Sequence, residues 1–410
     1  MLRSMASAIS ALRNHQTFMD VVSTNIANVN TTGYKASRVT FQDVMSQTLS
    51  SASAPTDTVG GINPVQVGLG MRLGGIDTIF TQGNPRATGQ PRDLAIQGDG
   101  FFVLQQGDTT YYSRDGVVDV GTDNTLVNPT TGMRLMGWMA DTTGAINTGL
   151  PTGAITIPYG TGEARATTEV TYQGNLDAEA EATDTVEATI PVYDSLGEIH
   201  ALTLTFTKTS NDREWTWAVT APAGVTVANP TGTTIAFDSA GAYSTPETTT
   251  IDLTGFTNGA ANMTGVVLDF SSLTQLAQAS EVGATNQDGL SAGTLIDFSV
   301  NEFGEVLGLY SNGMSRTVAQ IALASFNNPA GMLRMGQNLF FPSPNSGTAS
   351  VGAPGEGSRG RVWSGYLEMS NVDLAREFTD MIIAQRGFQA NSRVVTTSDE
   401  ILQELVNLKR

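Results

Sequence analysis

The residues able to do chemistry are few and scattered. His15 and His200 are the only histidines in the 410 residues. They lie in separate regions, one within a helical pattern and one just after a turn, and neither has metal-ligand spacing, so both read as ordinary surface or interface residues. Asp115, Asp119 and Asp123 have the composition of a calcium loop. They fall every fourth residue instead of alternately, and the closing Glu is missing, so they read as solvated turns. Gly68-Leu-Gly-Met-Arg-Leu-Gly74 is glycine-rich like a nucleotide loop, but its spacing is not GxGxxG and no helical pattern follows. Ser, Thr and Asp abound without a nucleophile, base and orienter that sequence can group. With no cysteine, a thiolate nucleophile, a thiolate metal site and a disulfide are all excluded. The expectation is therefore no catalytic residue, no cofactor, no metal and no enzyme.

The formal charge of -18 argues against nucleic acid, because a phosphate-binding surface needs a basic face. Residues 160–283 hold 16 acidic residues against 3 basic ones, whereas the termini are nearly balanced. Balanced ends suit helices that pack on copies of themselves, and an acidic middle suits a solvated surface. The start, Met1-Leu-Arg-Ser-Met-Ala-Ser-Ala, lacks the apolar run of a signal peptide, and no stretch approaches eighteen apolar residues. Membrane insertion is not expected.

The elements that organise the chain are its two ends. Near the C-terminus, Leu374, Phe378, Met381, Gln385, Phe388, Ser392, Val395, Asp399, Leu402 and Val406 follow alternating steps of four and three, the stripe of a helix lying along another helix. Asn371 with Asp373 offers an N-terminal cap, and Lys409 and Arg410 sit where a helix C-terminus favours positive charge. Over residues 371–408 such a helix is roughly 55 Å long. At the other end Leu2, Met5, Ile9, Leu12, Gln16, Met19, Ser23, Ile26 and Asn30 keep the same step, and Val22 and Val29 widen the face. Asn25, Asn28, Gly33 and Tyr34 mark the turn that ends this first helix, since Asn and Gly tolerate the left-handed residue that closes one. Polar stripe positions and Gly387 weaken an isolated pair, so further neighbours are expected. Periodicity alone leaves an internal stalk and a polymer contact equally open.

Between the ends the reading is mainly β. Residues 34–75, low in charge and rich in Ser, Thr, Gly and Gln, read as an extended connector. Short strands with turn chemistry follow, such as Leu94-Ala-Ile-Gln-Gly-Asp-Gly-Phe-Phe-Val-Leu with Asp-Gly at Asp99 and again at Asp115. The acidic segment gives further strands, with Asp194-Ser-Leu-Gly197 as a hairpin turn. The fold class is multidomain α plus mainly β, with N- and C-terminal helices forming a coiled-coil-like pair, an extended connector and two nested all-β domains. The boundaries read as 1–33 with 367–410 for the helices, 34–75 with 355–366 for the connector, 76–159 with 284–354 for the first β domain, and 160–283 for the inserted acidic β domain.

Phe18-Met-Asp-Val-Val-Ser-Thr-Asn-Ile-Ala-Asn-Val-Asn-Thr-Thr-Gly-Tyr-Lys35 resembles the N-terminal signature of bacterial flagellar rod and hook axial proteins. Leu367-Glu-Met-Ser-Asn-Val-Asp-Leu-Ala-Arg-Glu-Phe378, Ala384-Gln-Arg386 and Phe388-Gln-Ala-Asn391 resemble the C-terminal signature of that family, and Ile96-Gln-Gly-Asp-Gly-Phe-Phe-Val-Leu104 a third motif. The length and the acidic insertion with Val192-Tyr-Asp-Ser-Leu-Gly197 resemble the hook branch more than the shorter distal rod branch.

The resemblance implies a structural subunit, exported without a cleaved signal peptide by the flagellar type III apparatus, that polymerises into a curved tube outside the cell and acts as a universal joint between rod and filament. It implies many copies of itself as the main partner, with the distal rod protein, the hook cap and the hook–filament junction proteins at the ends of the tube. It also assigns Leu12, Met19, Val22, Ile26, Leu374, Phe378, Met381, Phe388, Leu402 and Val406 as polymer contacts. The rival readings are another axial protein of the rod type and an adhesin-like binding module.

Overall fold

The computed structural model describes residues 2–55, 60–230, 233–246 and 249–407. The side chain of Leu2, the helix end at Leu408, and Lys409 and Arg410 lie outside the described residues. The chain divides into two units, Met1–Ile157 with Ser299–Val306 and Thr317–Arg410, and Pro158–Phe298 with Leu307–Arg316.

In the first unit α1 (Leu2–Ala27) packs along α2 (Leu374–Asn407). The inward line of α1 sits one residue before the expected stripe. Ala8, Ala11, Val22 and Asn25 are buried, and His15 and Phe18 turn their rings onto Phe41. Leu12, Met19 and Ile26 lie half-buried beside this line. On α2, Met381, Ser392, Val395 and Leu402 belong to the inward line as expected, but Glu377, Ala384 and Ser398 take the places of Phe378, Gln385 and Asp399, and Asn391 is half-buried beside Ser392. The reason is close approach. A Cβ on Gly387 would lie 2.7 Å from the His15 ring, so small residues are required where larger apolar ones fit the periodicity better. Helix α2 starts at Leu374, three residues later than expected, where Asp373 Oδ1 accepts the N–H groups of Ala375 (2.9 Å) and Arg376 (3.3 Å).

The expected extended connector is folded instead. Strand β1 (Ser37–Asp43) pairs antiparallel with β4 (Met71–Thr78), and between them β2 (Ser46–Ser50) pairs antiparallel with β3 (Val65–Gly68). The result is a long two-stranded ribbon. Its outer part is exposed on both faces, and the sequence marks the ribbon only by the alternation of Val65-Gln-Val-Gly-Leu-Gly-Met-Arg-Leu73. Its root is tied to α1 by Asn14 Nδ2, which donates to Met71 O at 2.8 Å, and by Gly70, whose φ of 120° and closeness to Ser10 Oγ admit no side chain.

Residues 361–368 are also part of the body. Arg361–Ser364 pairs β6 (Leu94–Gln97), and Tyr366–Glu368 pairs β5 (Pro85–Ala87), so neither the connector nor the helical segment holds them as the sequence suggested. The body builds on the hairpin of β7 (Phe101–Gln106) and β8 (Thr109–Ser113), flanked by Arg134–Met139 and Leu339–Phe341. Phe101, Val103, Tyr112, Met136, Trp138 and Phe340 form its core, with Phe80 packed against it.

The second unit holds two five-stranded sheets. In one, the strand Glu169–Asp177 lies between Met263–Leu276, parallel to it, and Glu281–Gln287, antiparallel to it. In the other, Thr185–Tyr193, Ile199–Lys208 and Glu214–Thr220 run as antiparallel neighbours. Alternate residues of both sheets, among them Tyr172, Leu204, Phe206, Trp215, Ile251 and Phe270, share one core. This unit extends to Phe298, so residues 284–298 fall here and not in the first β domain.

Candidate assembly surface

The two helices are joined at their roots by a polar clasp. Asn25 is 1% exposed. Its Nδ2 donates to Ser37 O at 2.8 Å and to Glu377 Oε1 at 3.1 Å, and its Oδ1 accepts from Ser37 N at 3.0 Å and from the Tyr34 hydroxyl at 3.2 Å. One amide thus links the end of α1, the returning chain and the first turn of α2. Asn28 closes α1, with its Nδ2 on Thr24 O at 2.9 Å and its Oδ1 accepting from Thr31 Oγ1 at 3.1 Å. Gly33 has φ 66°, and a Cβ there would meet Asp115 N at 2.6 Å, so the turn needs glycine twice over. Burial pushes the Glu377 carboxyl above its ordinary range, against the opposing bond from Asn25.

Beneath the clasp lies a buried ion cluster that sequence reasoning did not single out. Lys35 Nζ donates to Glu368 Oε1 at 2.6 Å and to Thr81 O at 2.8 Å. Arg114 Nη1 donates to Glu368 Oε2 at 3.3 Å, and Gly83 N to Glu368 Oε1 at 2.8 Å. All three side chains are nearly sealed from solvent. Burial draws both cations below their ordinary values, with Glu368 acting the other way. Of the expected capping pair, Asp373 caps α2 and Asn371 is a tie instead: its Oδ1 accepts from Ala36 N at 2.8 Å and its Nδ2 donates to Ile79 O at 2.8 Å. The available signal was scarcity, since Lys35 is one of three lysines in the chain and follows the turn directly.

The expected contact residues separate into two groups. Val22, 2% exposed, is a seam residue within the chain and has no surface to offer a neighbour. Met381 and Leu402 are half-buried in the same seam, and Leu12, Met19 and Ile26 flank it. Leu374, Phe378, Phe388 and Val406 stand exposed, joined on α2 by Ile382, Ile383, Val394 and Ile401, which the stripe did not include. The ribbon adds exposed Val44, Met45, Leu49, Val65, Val67 and Leu69.

The residues considered for chemistry disperse. Asp119 pairs Arg92 at 2.8 Å, Asp123 pairs Arg134 at 2.9 Å, and Asp115 accepts from Thr32 and Asn128. The glycines of the 68–74 run serve the ribbon. His15 packs on Gly387 and Phe41, whereas His200 Nε2 lies 3.0 Å from Asp194 Oδ2. Among the described residues no helix is long and apolar enough to cross a membrane.

Four family models match in chain order: the flagella basal body rod protein at residues 5–35, the flagellar hook protein FlgE/F/G D1 domain at 95–178, the flagellar basal body protein FlaE D2 domain at 162–290, and the flagellar basal body rod FlgEFG protein C-terminal at 364–408. Paired terminal helices around a β body, with these matches at both ends and in the middle, define a flagellar axial protein of the rod and hook class.

Relatives narrow the class. The flagellar hook protein FlgE of Borreliella burgdorferi is 42% identical with all of both chains covered, and that of Treponema pallidum is 39% identical, also over all of both. The Bacillus subtilis flagellar basal-body rod protein FlgG is 33% identical over the same full span. A solved structure of the Helicobacter pylori flagellar hook protein FlgE2 is similar over 69% of this chain and 100% of that one, with a TM-score of 0.46 and 15% identity. The chain belongs to the flagellar hook protein FlgE family, a family of structural proteins of the flagellum.

Proposed function

We propose that this chain assembles with copies of itself into the curved tube of the hook and transmits torque from rod to filament as a universal joint. The observation that carries the reading is the number of large apolar side chains on α2, Phe378, Ile382, Ile383, Val394, Ile401 and Val406, that remain exposed after α1 is packed. Exposed apolar surface of this extent on one helix marks an interaction surface. The exposed ribbon, with Met45 and Leu49 at its outer part, supplies a second apolar surface. Leu12, Met19, Ile26, Leu374, Phe378, Phe388 and Val406 are the polymer contacts in this reading. Val22, Met381 and Leu402 hold the pair that presents them.

The ends of the tube meet the distal rod protein, the hook cap and the hook–filament junction proteins. The subunit reaches its place outside the cell through the flagellar type III export apparatus without a cleaved signal peptide. It is not an enzyme, takes no cofactor and binds no nucleic acid. The acidic second unit supplies solvated surface, consistent with its excess of Asp and Glu.

The test is electron microscopy and light scattering of the purified full-length chain, seeded with sheared hooks, beside a variant ending at Asp373 so that the Lys35–Glu368 pair is kept. Growth of curved tubes by the full chain alone is expected. Equal growth by the variant lacking α2, or straight tubes from the full chain, would overturn the reading.

A further inference from the structure

The turn Asp194-Ser-Leu-Gly197 joins the antiparallel strands Thr185–Tyr193 and Ile199–Lys208 of the second unit. Asp194 Oδ1 accepts the N–H groups of Leu196 at 2.8 Å and Glu198 at 3.0 Å. Gly197 has φ 82°, and a Cβ there would lie 2.4 Å from Ala292 N. The chain therefore reverses tightly and brings Glu198 and His200 back beside Asp194. Ligand-capable atoms of the three side chains all lie within 4.8 Å of one another, a gathering that their spacing in the sequence does not announce.

The donor set is mixed, and that decides its chemistry. A cage for Ca²⁺ or Mg²⁺ is built of oxygens, whereas an imidazole with carboxylates suits a borderline cation such as Zn²⁺. His200 Nε2 and Asp194 Oδ2 are hydrogen-bonded at 3.0 Å, and a parting of a few tenths of an ångström would let both reach one ion with ligands at about 2.0–2.2 Å. The surroundings hold these groups in place. The Phe256 ring packs on His200 with centroids 5.1 Å apart, and the backbone bonds orient Asp194.

Charge points the same way. Asp194 is wholly buried, Glu198 is its close neighbour, and among the described residues neither forms an ion pair with Lys or Arg. The Asn258 amide bridges them, its Nδ2 at 2.5 Å from Asp194 Oδ2 and 2.6 Å from Glu198 Oε2, and His200 Nε2 meets the same Asp194 oxygen. Asn258 Oδ1 accepts from Ala260 N at 2.9 Å, which keeps the NH₂ edge toward the carboxylates. Asp194 is sealed while Glu198 stands at the solvent edge, so a cation bound there would meet one buried and one accessible carboxylate.

We propose that Asp194, Glu198 and His200 form a binding site for one divalent transition-metal ion of the Zn²⁺ class, with Asn258 orienting the carboxylates and water completing the coordination. The ion cross-links the hairpin turn. Through Asn258, and through Ala261 N bonded to Ser195 Oγ at 2.8 Å, it also steadies the neighbouring loop.

The test uses the full-length chain, stripped with EDTA and titrated with zinc chloride against a chromophoric zinc indicator. One equivalent is expected to bind in the wild type, with affinity at least about tenfold weaker in Glu198→Gln and in His200→Ala but unchanged in His15→Ala. Glu198 is exposed, so Glu198→Gln keeps the fold, and circular dichroism checks it. No saturable binding in the wild type, equal binding in every variant, or loss only in His15→Ala would overturn the site. Tighter binding of Ca²⁺ or Mg²⁺ than of Zn²⁺ would overturn the assigned metal class.

Discussion

Lys35 Nζ lies 2.6 Å from Glu368 Oε1, with neither side chain exposed, and the contact joins residues 333 positions apart. Lys35 follows the turn that ends α1, and Glu368 precedes α2, so the pair closes the chain at the root of both helices. Arg114 is the second cation on the same carboxylate. Two positive groups therefore depend on one negative group away from water.

Glu368→Ala leaves both cations buried without their partner. The expected loss is about 3–5 kcal/mol, the usual cost of breaking a buried pair from one side. Lys35→Met is expected to cost less, because Arg114 still pairs with Glu368. Urea unfolding followed by circular dichroism measures both, and equal losses would mean that the carboxylate is not shared.

Gly387→Ala sets helix propensity against packing. Propensity alone favours Ala by about 1 kcal/mol. The new Cβ, however, would lie 2.7 Å from the His15 ring, which Phe41 also contacts. The single variant is expected to melt lower than the wild type, and addition of His15→Ala to recover part of the loss. A single variant that melts higher would show that the ring moves aside at little cost.

Phe378→Asp is expected to leave the melting temperature unchanged within about 2 °C, since surface changes are usually within 0.5 kcal/mol, and to stop tube growth. Phe378 is 50% exposed and lies outside the seam. Thermal melting and electron microscopy read the two effects separately. Normal tubes from this variant would remove Phe378 from the contact set.

Tyr172 supplies a pH dependence. Its hydroxyl is buried with no hydrogen-bond partner among the described residues, and burial raises its ionisation above the ordinary 10.0. Above pH 10 the unfolded chain releases this proton while the folded chain retains it, so this group makes stability fall as pH rises. Tyr172→Phe is expected to flatten that fall. At neutral pH the variant should be as stable as the wild type or more so, by up to about 1 kcal/mol, because an unpaired polar group leaves the core. Urea midpoints at pH 8 and pH 10.5 check both statements.

Much of the fold was legible because its signals are local. The turn after α1 was readable at Asn28 and Gly33, and the hairpin at Asp194-Ser-Leu-Gly197, since each residue type answers a backbone requirement within a few positions. The ribbon of residues 37–78 was legible only in part: Val65–Leu73 alternates as a strand does, but a ribbon exposed on both faces has no buried side to show which segment it pairs with. The helical repeat of α2 was legible, its direction was not: Met381, Val395 and Leu402 lie in the seam between the helices, whereas Phe378 of the same repeat stands exposed, since periodicity gives a repeat and not its direction.

The sequence by itself determined that two terminal helices flank a mainly β body and that the acidic residues gather in one inserted segment, because heptad steps, turn residues and charge are properties of neighbours along the chain. Only the tertiary structure decided which helix face meets its partner. The choice was made by the room beside Gly387 and by the ribbon lying against α1. It alone also brought Lys35, Arg114 and Glu368 into one buried cluster. That encounter depends on distance in space, which pairing of remote strands sets and no local pattern records.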